Sequence, residues 1–195
     1  IKVGGETRKV MIQANKNGFL YTLDRTNCKL IAAHPITRVN WASKIDLATG
    51  RPVLTDIFKR FAAGEEVEIL PSRGTNATPI AFNPNTGLIY ASTWDVPRIQ
   101  KLAAPRPVAT GGVSTGVEAK FPEVKPGSVL GHFVAINPLT GEKKWDVPLV
   151  ELPGSAGMLA TGGGLIFTGK LTGEFIALDQ DTGQQLWQFK TGSSV

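Results

Sequence analysis

The sequence is poor in the residues that usually carry chemistry: it has one cysteine and two histidines in 195 residues. The lone Cys28 excludes an internal disulfide and any C-x-x-C metal or haem site. No histidine lies near it in sequence, so it reads as a turn residue rather than as a nucleophile or redox switch. His34 and His132 stand at no metal-ligand spacing and read as structural or surface residues. No apolar run approaches the roughly 18 residues of a membrane span. No stretch reads as a signal peptide, and no helix longer than a turn or two is visible. Bases exceed acids by a net +5, but they are scattered, apart from pairs such as Lys59-Arg60 and Lys143-Lys144. The interleaving of aromatic and basic residues that marks a nucleic-acid surface is missing. A solvated basic surface remains, with at most a modest pull on an acidic partner protein.

What the chain does have is repetition. Ala135-Ile136-Asn137-Pro138-Leu139-Thr140-Gly141-Glu142-Lys143-Lys144-Trp145 lies over Ala177-Leu178-Asp179-Gln180-Asp181-Thr182-Gly183-Gln184-Gln185-Leu186-Trp187. The shared pattern, A-x-[DN]-x-x-T-G-x-x-x-W, reads as strand, tight turn, strand. The Asp or Asn bonds to backbone groups just ahead, the Gly takes a positive φ, and the Trp lands on the returning strand where its ring can cover a neighbour. Weaker copies of the turn occur at Asn83–Gly87, at Asp46–Gly50, and at Asp24–Cys28, where Asn27-Cys28 replaces Thr-Gly. The turns at Asn83, Asn137 and Asp179 are separated by roughly 40 to 55 residues, the period of propeller blades.

The strands Phe133–Ile136, Leu165–Phe167 and Glu174–Leu178 are apolar on both alternating faces, so both faces should be covered. Radially stacked four-stranded sheets do this, whereas a two-sheet sandwich would show a polar face. The expected fold is therefore all-β: a β-propeller segment of about four blades, some incomplete, forming one domain over residues 1–195. Lys9–Ala14, the Asn15–Gly18 turn and Phe19–Leu23 read as a hairpin, and Leu88–Ser92 as a further strand. Residues 61–78 read as loop. Residues 96–128, rich in Pro, Gly and Thr, read as one long loop of the kind that lines binding sites. Neither end reads as a natural terminus, so the chain is expected to be part of a longer propeller, with sheet edges and one apolar face uncovered when it stands alone.

Asn15-Lys16-Asn17-Gly18-Phe19-Leu20-Tyr21-Thr22-Leu23-Asp24-Arg25-Thr26-Asn27 closely resembles a segment of the pyrroloquinoline quinone (PQQ) dependent alcohol dehydrogenases. Asn40-Trp41 with Asp46–Pro52, and Ala160–Gly169 continuing into the second repeat, resemble further blocks of that family in the same order. Only residues 98–125 fall outside the resemblance. It implies an eight-bladed, tryptophan-docked propeller of periplasmic quinoproteins, of which this chain is the later part. Such a protein holds PQQ with a calcium ion or a lanthanide, oxidises an alcohol, and passes electrons to a cytochrome c or a membrane quinone.

The resemblance also implies site residues. Lys16 stands where the family places a cation against the quinone oxygens; methanol-type members usually have Arg there and ethanol-type members Lys. A fixed cation suits the negative charge that hydride arrival puts on that oxygen. Trp94 and Asp95 stand where the family places an Asn that bonds to the cofactor. Ser155 falls where methanol-type members carry a Trp beside the cofactor, so it either widens the substrate pocket or marks a different loop. Trp145 and Trp187 are structural. The family's catalytic Asp, its metal-binding Glu and Asn, its adjacent-Cys disulfide and the Trp under the PQQ ring are expected before Ile1, and the last cofactor-contacting segment after Val195. No catalytic or metal-ligating residue is therefore expected here, and the segment alone is expected to be inactive. The competing reading is a non-enzymatic propeller of PQQ-like repeats that serves as a protein-binding scaffold in outer-membrane assembly. The Asn15–Asp24 block separates the two readings, because a scaffold blade has no need of Lys16.

Overall fold

In a computed structural model, which describes residues 1–105, 110–112 and 114–194, the regular secondary structure is nearly all strand, with the one short helix Asp56–Ala62 among the described residues. Two full blades are present. The second blade in chain order pairs Ala81–Asn83, Leu88–Trp94, Gly131–Ile136 and Lys143–Leu149 antiparallel in that spatial order. The third pairs Leu159–Ala160, Leu165–Gly169, Glu174–Asp179 and Gln185–Lys190. A three-stranded first blade, Val10–Ala14, Phe19–Asp24 and Leu30–Pro35, precedes them. A hairpin of Ala42–Ile45 and Pro52–Leu54 forms a further layer.

The period-2 alternation of side chains fixes the stacking order. Ile89, Ala91, Val134 and Ile136 of the second blade meet Ala14 and Leu20 of the first. The alternate residues Tyr90, Phe133, Ala135 and Trp145 meet Ile166, Ile176 and Leu178 of the third. On its far side the first blade sends Phe19 and Tyr21 against Ala42, Ile45 and Trp41 of the hairpin layer. The middle strands of the second blade are thus apolar on both faces because both faces are covered. The third blade turns Phe167, Phe175, Trp187 and Phe189 to its other side as a run of stacked and edge-on rings, with Trp187 48% exposed. The sheets are blades of a propeller, in four stacked layers of which two are complete.

Two loop readings need correction. Residues 96–128 are not one irregular loop. They contain strands Arg98–Leu102 and Val117–Lys120, which pair with each other and with Val67–Ile69 in a separate three-stranded sheet, termed the cap sheet below. Residues 61–78 hold the end of the helix Asp56–Ala62 as well as the strand Val67–Ile69. The Asn83 turn is also not a blade repeat of the Asn137 and Asp179 turns, because it joins the first two strands of the second blade, whereas those turns join the last two strands of their blades. In the first blade the equivalent of Asn137 and Asp179 is Asp24.

The repeat turn works as its sequence requires. In four of the five copies the side chain of the leading residue accepts a backbone N–H two positions on: Thr26 onto Asp24, Asn85 onto Asn83, Leu139 onto Asn137 and Asp181 onto Asp179, all at 2.8–2.9 Å; Asp46 accepts that of Thr49, three positions on, at 2.8 Å. The residue four positions on, Gly in most copies, closes the turn by donating its N–H to the leading carbonyl at 2.8–2.9 Å. Docking then joins blade to blade. Trp145 Nε1 donates to the Gln180 carbonyl at 2.9 Å, and its ring lies on Gly183, where a Cβ would stand 2.8 Å from Trp145 Cδ2. Between the first and second blades His34 does the same work. Its Nε2 lies 2.8 Å from the Leu139 carbonyl, and its ring covers Gly141.

Candidate functional site

Lys16 sits in the turn between the first two strands of the first blade, and that turn is held from several sides. Asn15 Oδ1 accepts the Asn17 N–H at 3.1 Å, and Asn17 Oδ1 accepts the Phe19 N–H at 3.1 Å. Asn17 Nδ2 reaches the Tyr21 hydroxyl at 2.7 Å, while the Asn17 carbonyl accepts from Trp41 Nε1 at 2.9 Å. The backbone of Gly74 then closes on the turn: a Cβ there would stand 2.7 Å from the Asn15 carbonyl oxygen and 2.8 Å from that of Lys16. Only glycine, at φ +49°, permits this approach. The Lys16 side chain is exposed and makes no hydrogen bond or ion pair among the described residues. It lines a cleft of about 260 Å³ shared with Pro71, Ser72, Arg98, Gln100 and Thr115.

Gly74 also links Lys16 to Trp94. The Trp94 N–H donates to the Gly74 carbonyl at 2.8 Å, and the Ser72 N–H to the Val96 carbonyl at 2.8 Å, so residues 72–74 run as a short strand along residues 94–96. The Trp94 indole is then fixed twice. Its Nε1 donates to the Gly154 carbonyl at 3.2 Å, and the Arg73 guanidinium lies over the ring at 4.5 Å from its centroid, within cation–π range. Ser155 follows Gly154 and is exposed. The Ser72–Gly74 segment thus joins the Lys16 turn to Trp94, and Gly154, which precedes Ser155, bonds to the Trp94 indole.

Asp95 turns the other way. Its side chain is 3% exposed, and Arg38 Nε donates to its Oδ2 at 2.6 Å. Thr37 Oγ1 donates to its Oδ1 at 3.3 Å, and His132 Nε2 lies 3.4 Å from Oδ2. His132 Nδ1 in turn lies 2.5 Å from Asp146 Oδ1, and Lys143 Nζ donates to Asp146 Oδ2 at 2.6 Å. Charges alternate along the chain Arg38, Asp95, His132, Asp146, Lys143. Hydrogen bonds to Asp146 and Asp95 outweigh burial and raise the His132 pKa to about 9. Burial pushes both carboxyls up, but bonds from His132 and from Arg38 or Lys143 prevail and hold them below the usual carboxylate value. The Asp95 carboxylate is committed to this network and braces the strand end that carries Trp94.

Arg38, Ser72, Arg73 and Arg98 have no sequence signal of their own. Each is an isolated polar residue in an aperiodic stretch; the pairing of residues 72–74 with 94–96 and of Val67–Ile69 with Arg98–Leu102 brings Ser72, Arg73 and Arg98 to the site, and Arg38 meets it through Asp95. Among the described residues no group of three or more His, Cys, Asp or Glu side chains is placed to hold a metal ion.

Comparison with known proteins follows the same lines. A profile of the family described as "Outer membrane protein assembly factor BamB" matches residues 131–195, the most regular part of the chain. Quinohemoprotein alcohol dehydrogenase ADH IIB of Pseudomonas putida is 36% identical over 198 residues, a match covering 100% of this chain and 28% of that protein. Quinoprotein ethanol dehydrogenase of Pseudomonas putida is 36% identical over 202 residues, covering 98% and 32%. Among solved structures, a europium-containing methanol dehydrogenase superposes with a TM-score of 0.89 at 32% identity, covering 100% of this chain and 34% of that one. The chain thus spans under a third of the length of these curated relatives.

Proposed function

We propose that this chain, similar along its whole length to quinoprotein alcohol dehydrogenases, forms the later blades of a propeller that oxidises primary alcohols with PQQ. The observation that carries the reading is the Lys16 turn. An unpaired ammonium stands on a rigid hairpin at one end of the blades, beside an indole fixed by a hydrogen bond and a cation–π contact. A scaffold propeller would gain nothing from holding a lysine and a tryptophan in this way. Similarity to enzymes over the full chain outweighs the assembly-factor profile, which reaches only the third blade and the last two strands of the second.

The residues fit a planar anionic quinone. Lys16 would lie against its oxygens, and Trp94 with the Gly154-Ser155 loop would wall it. PQQ, when bound, supplies the two-electron acceptor for the hydride leaving the alcohol carbon. Lys16 supplies positive charge where negative charge develops; because its turn is already fixed, little reorganisation is needed at that moment. Asp95 acts as a positioning residue behind Trp94. The serine at 155 leaves more room than a tryptophan would, which favours alcohols larger than methanol. Calcium or a lanthanide, a periplasmic location, and electron transfer to a cytochrome c or a membrane quinone belong to the same proposal. They rest on the resemblance.

The test is Lys16→Ala in the full-length protein, reconstituted with PQQ and calcium and assayed by dye reduction with ethanol. Loss of a preorganised charge at the reacting oxygen should lower kcat by about 100-fold or more, with unchanged circular dichroism and partial recovery in Lys16→Arg. An unchanged kcat removes Lys16 from the mechanism. A full-length wild type that neither binds PQQ nor reduces the dye returns the protein to the scaffold reading.

A further inference from the structure

The cleft beside Lys16 carries more positive charge than an alcohol needs. Its wall is the cap sheet, and the register of that sheet sorts its side chains. Lys101 pairs with Glu118 at 3.2 Å, and Lys120 pairs with Glu66 at 3.1 Å. Lys101 and Glu118 face each other across the ladder, and Ile99, Lys120 and Glu68 lie on that same side. The opposite side carries Arg98 and Gln100 with Ile69, and it lines the cleft. All the sheet's acids are thus on the far side. Arg98 has no acidic partner among the described residues, although Phe121 lies under its guanidinium at 5.8 Å.

Two polar atoms make the point sharper. Ser72 is 9% exposed, and its hydroxyl oxygen is buried with no hydrogen-bond partner among the described residues; Arg98 Nε is buried in the same condition. Buried donors without acceptors are rare and costly. Both residues line the one cleft, and Lys16 adds an unpaired ammonium to it. Asp95, next to the Val96 that pairs with Ser72, is bound to Arg38 and His132 and does not line the cleft.

We propose that the Lys16–Ser72–Arg98 cleft binds a carboxylate, and that this carboxylate belongs to the substrate, so that the alcohols oxidised include hydroxy acids. A guanidinium and a carboxylate match as planar forks, and the Ser72 hydroxyl supplies a further donor. The inference rests on the quinoprotein reading: with the quinone against Lys16, the cleft walled by the cap sheet adjoins the reacting end, where the tail of an alcohol must lie.

The test uses the full-length holoenzyme and a matched pair, 4-hydroxybutanoate and 1-butanol. The wild type should favour the hydroxy acid in kcat/KM. Arg98→Gln should lower the ratio of the two kcat/KM values at least 10-fold, and Arg98→Lys, which keeps the charge but not the fork, should fall between. A ratio unmoved by Arg98→Gln overturns the proposal. So does a variant that only weakens PQQ binding, measured by titrating the apoprotein and following cofactor absorbance, because the carboxylate would then be the cofactor's. Calorimetric titration with glutarate needs no turnover and separates this inference from the enzyme reading. Binding to the wild type that is lost in Arg98→Gln supports the cleft even if neither alcohol is oxidised; absence of binding, with an unmoved ratio, rejects it.

Discussion

Cys28 sits where the other copies of the repeat turn have glycine. Its φ is +59°, close to the +69° to +73° of Gly50, Gly87, Gly141 and Gly183, and it makes the same closing bond, N–H to the Asp24 carbonyl at 2.8 Å. The thiol is free and exposed, so its surroundings supply no reason for cysteine. A side chain in the left-handed region costs about 1–2 kcal/mol, partly offset by the extra entropy glycine loses on folding, about 0.5–1 kcal/mol. Cys28→Gly should therefore stabilise the protein slightly, by about 0.5 kcal/mol, and Cys28→Val should destabilise it by about 1 kcal/mol because a β-branched residue suits that φ least. Urea denaturation of the three proteins checks the order, and a valine variant as stable as the glycine variant would refute the argument. At this scale the sequence was readable: a turn built from local bonds shows its backbone demands in adjacent residues, and Asn27-Cys28 was visible as a departure from them.

At the scale of elements, similar turns serve different ends, which separates what the repeat shows from what it hides. Gly183 and Gly87 have φ +73° and +70°. A Cβ on Gly183 would strike the docked Trp145 ring and stand 2.9 Å from Val147 Cγ2, while a Cβ on Gly87 would meet nothing within 4 Å. Gly87→Ala should lose only the backbone contribution, about 1 kcal/mol. Gly183→Ala should lose that and the cost of overpacking, about 2–4 kcal/mol together. Equal losses in chemical denaturation would mean that Trp145 does not dock on Gly183. Sequence alone equated the two turns because the local chemistry at Asn83 and Asp179 is the same; only strand order shows that one joins the first two strands of its blade and the other joins the last two, under a neighbour's tryptophan. The cap sheet was hidden for a different reason. Val117–Lys120 is mostly exposed and charged, so its alternation gives no apolar signal. With it went the placement of Arg98 and Ser72.

At the scale of the whole molecule, one charged chain crosses between blades. Arg38 follows the last strand of the first blade, whereas Asp95, His132 and Asp146 belong to the second. These residues are far apart in sequence, and nothing local connects them, so Lys16 could be read as a candidate while the function of Asp95 as a brace could not. The network makes stability depend on pH with a definite sign. The folded pKa of His132, about 9, lies above its ordinary 6.5, so its contribution is full below pH 6.5 and is lost as pH rises through about 9. Asp95 and Asp146 titrate below their ordinary 3.8, so theirs is full above that value and is lost as pH falls. The window of greatest contribution runs from about pH 4 to 6.5. The His132 side chain is 19% exposed, and a rise of this size corresponds to on the order of 3 kcal/mol. His132→Gln should therefore lower the melting temperature clearly at pH 6 and much less at pH 9.5, where the wild-type imidazole is mostly neutral and the two proteins differ little in charge. Asp95→Asn, which leaves His132 with Asp146 alone, should narrow the same gap from the other side by moving the loss to lower pH. Thermal unfolding of the three proteins across that range decides it: a difference between wild type and His132→Gln that stays constant from pH 6 to 9.5 would mean that His132 packs as a neutral ring and that the two blades are joined without its charge.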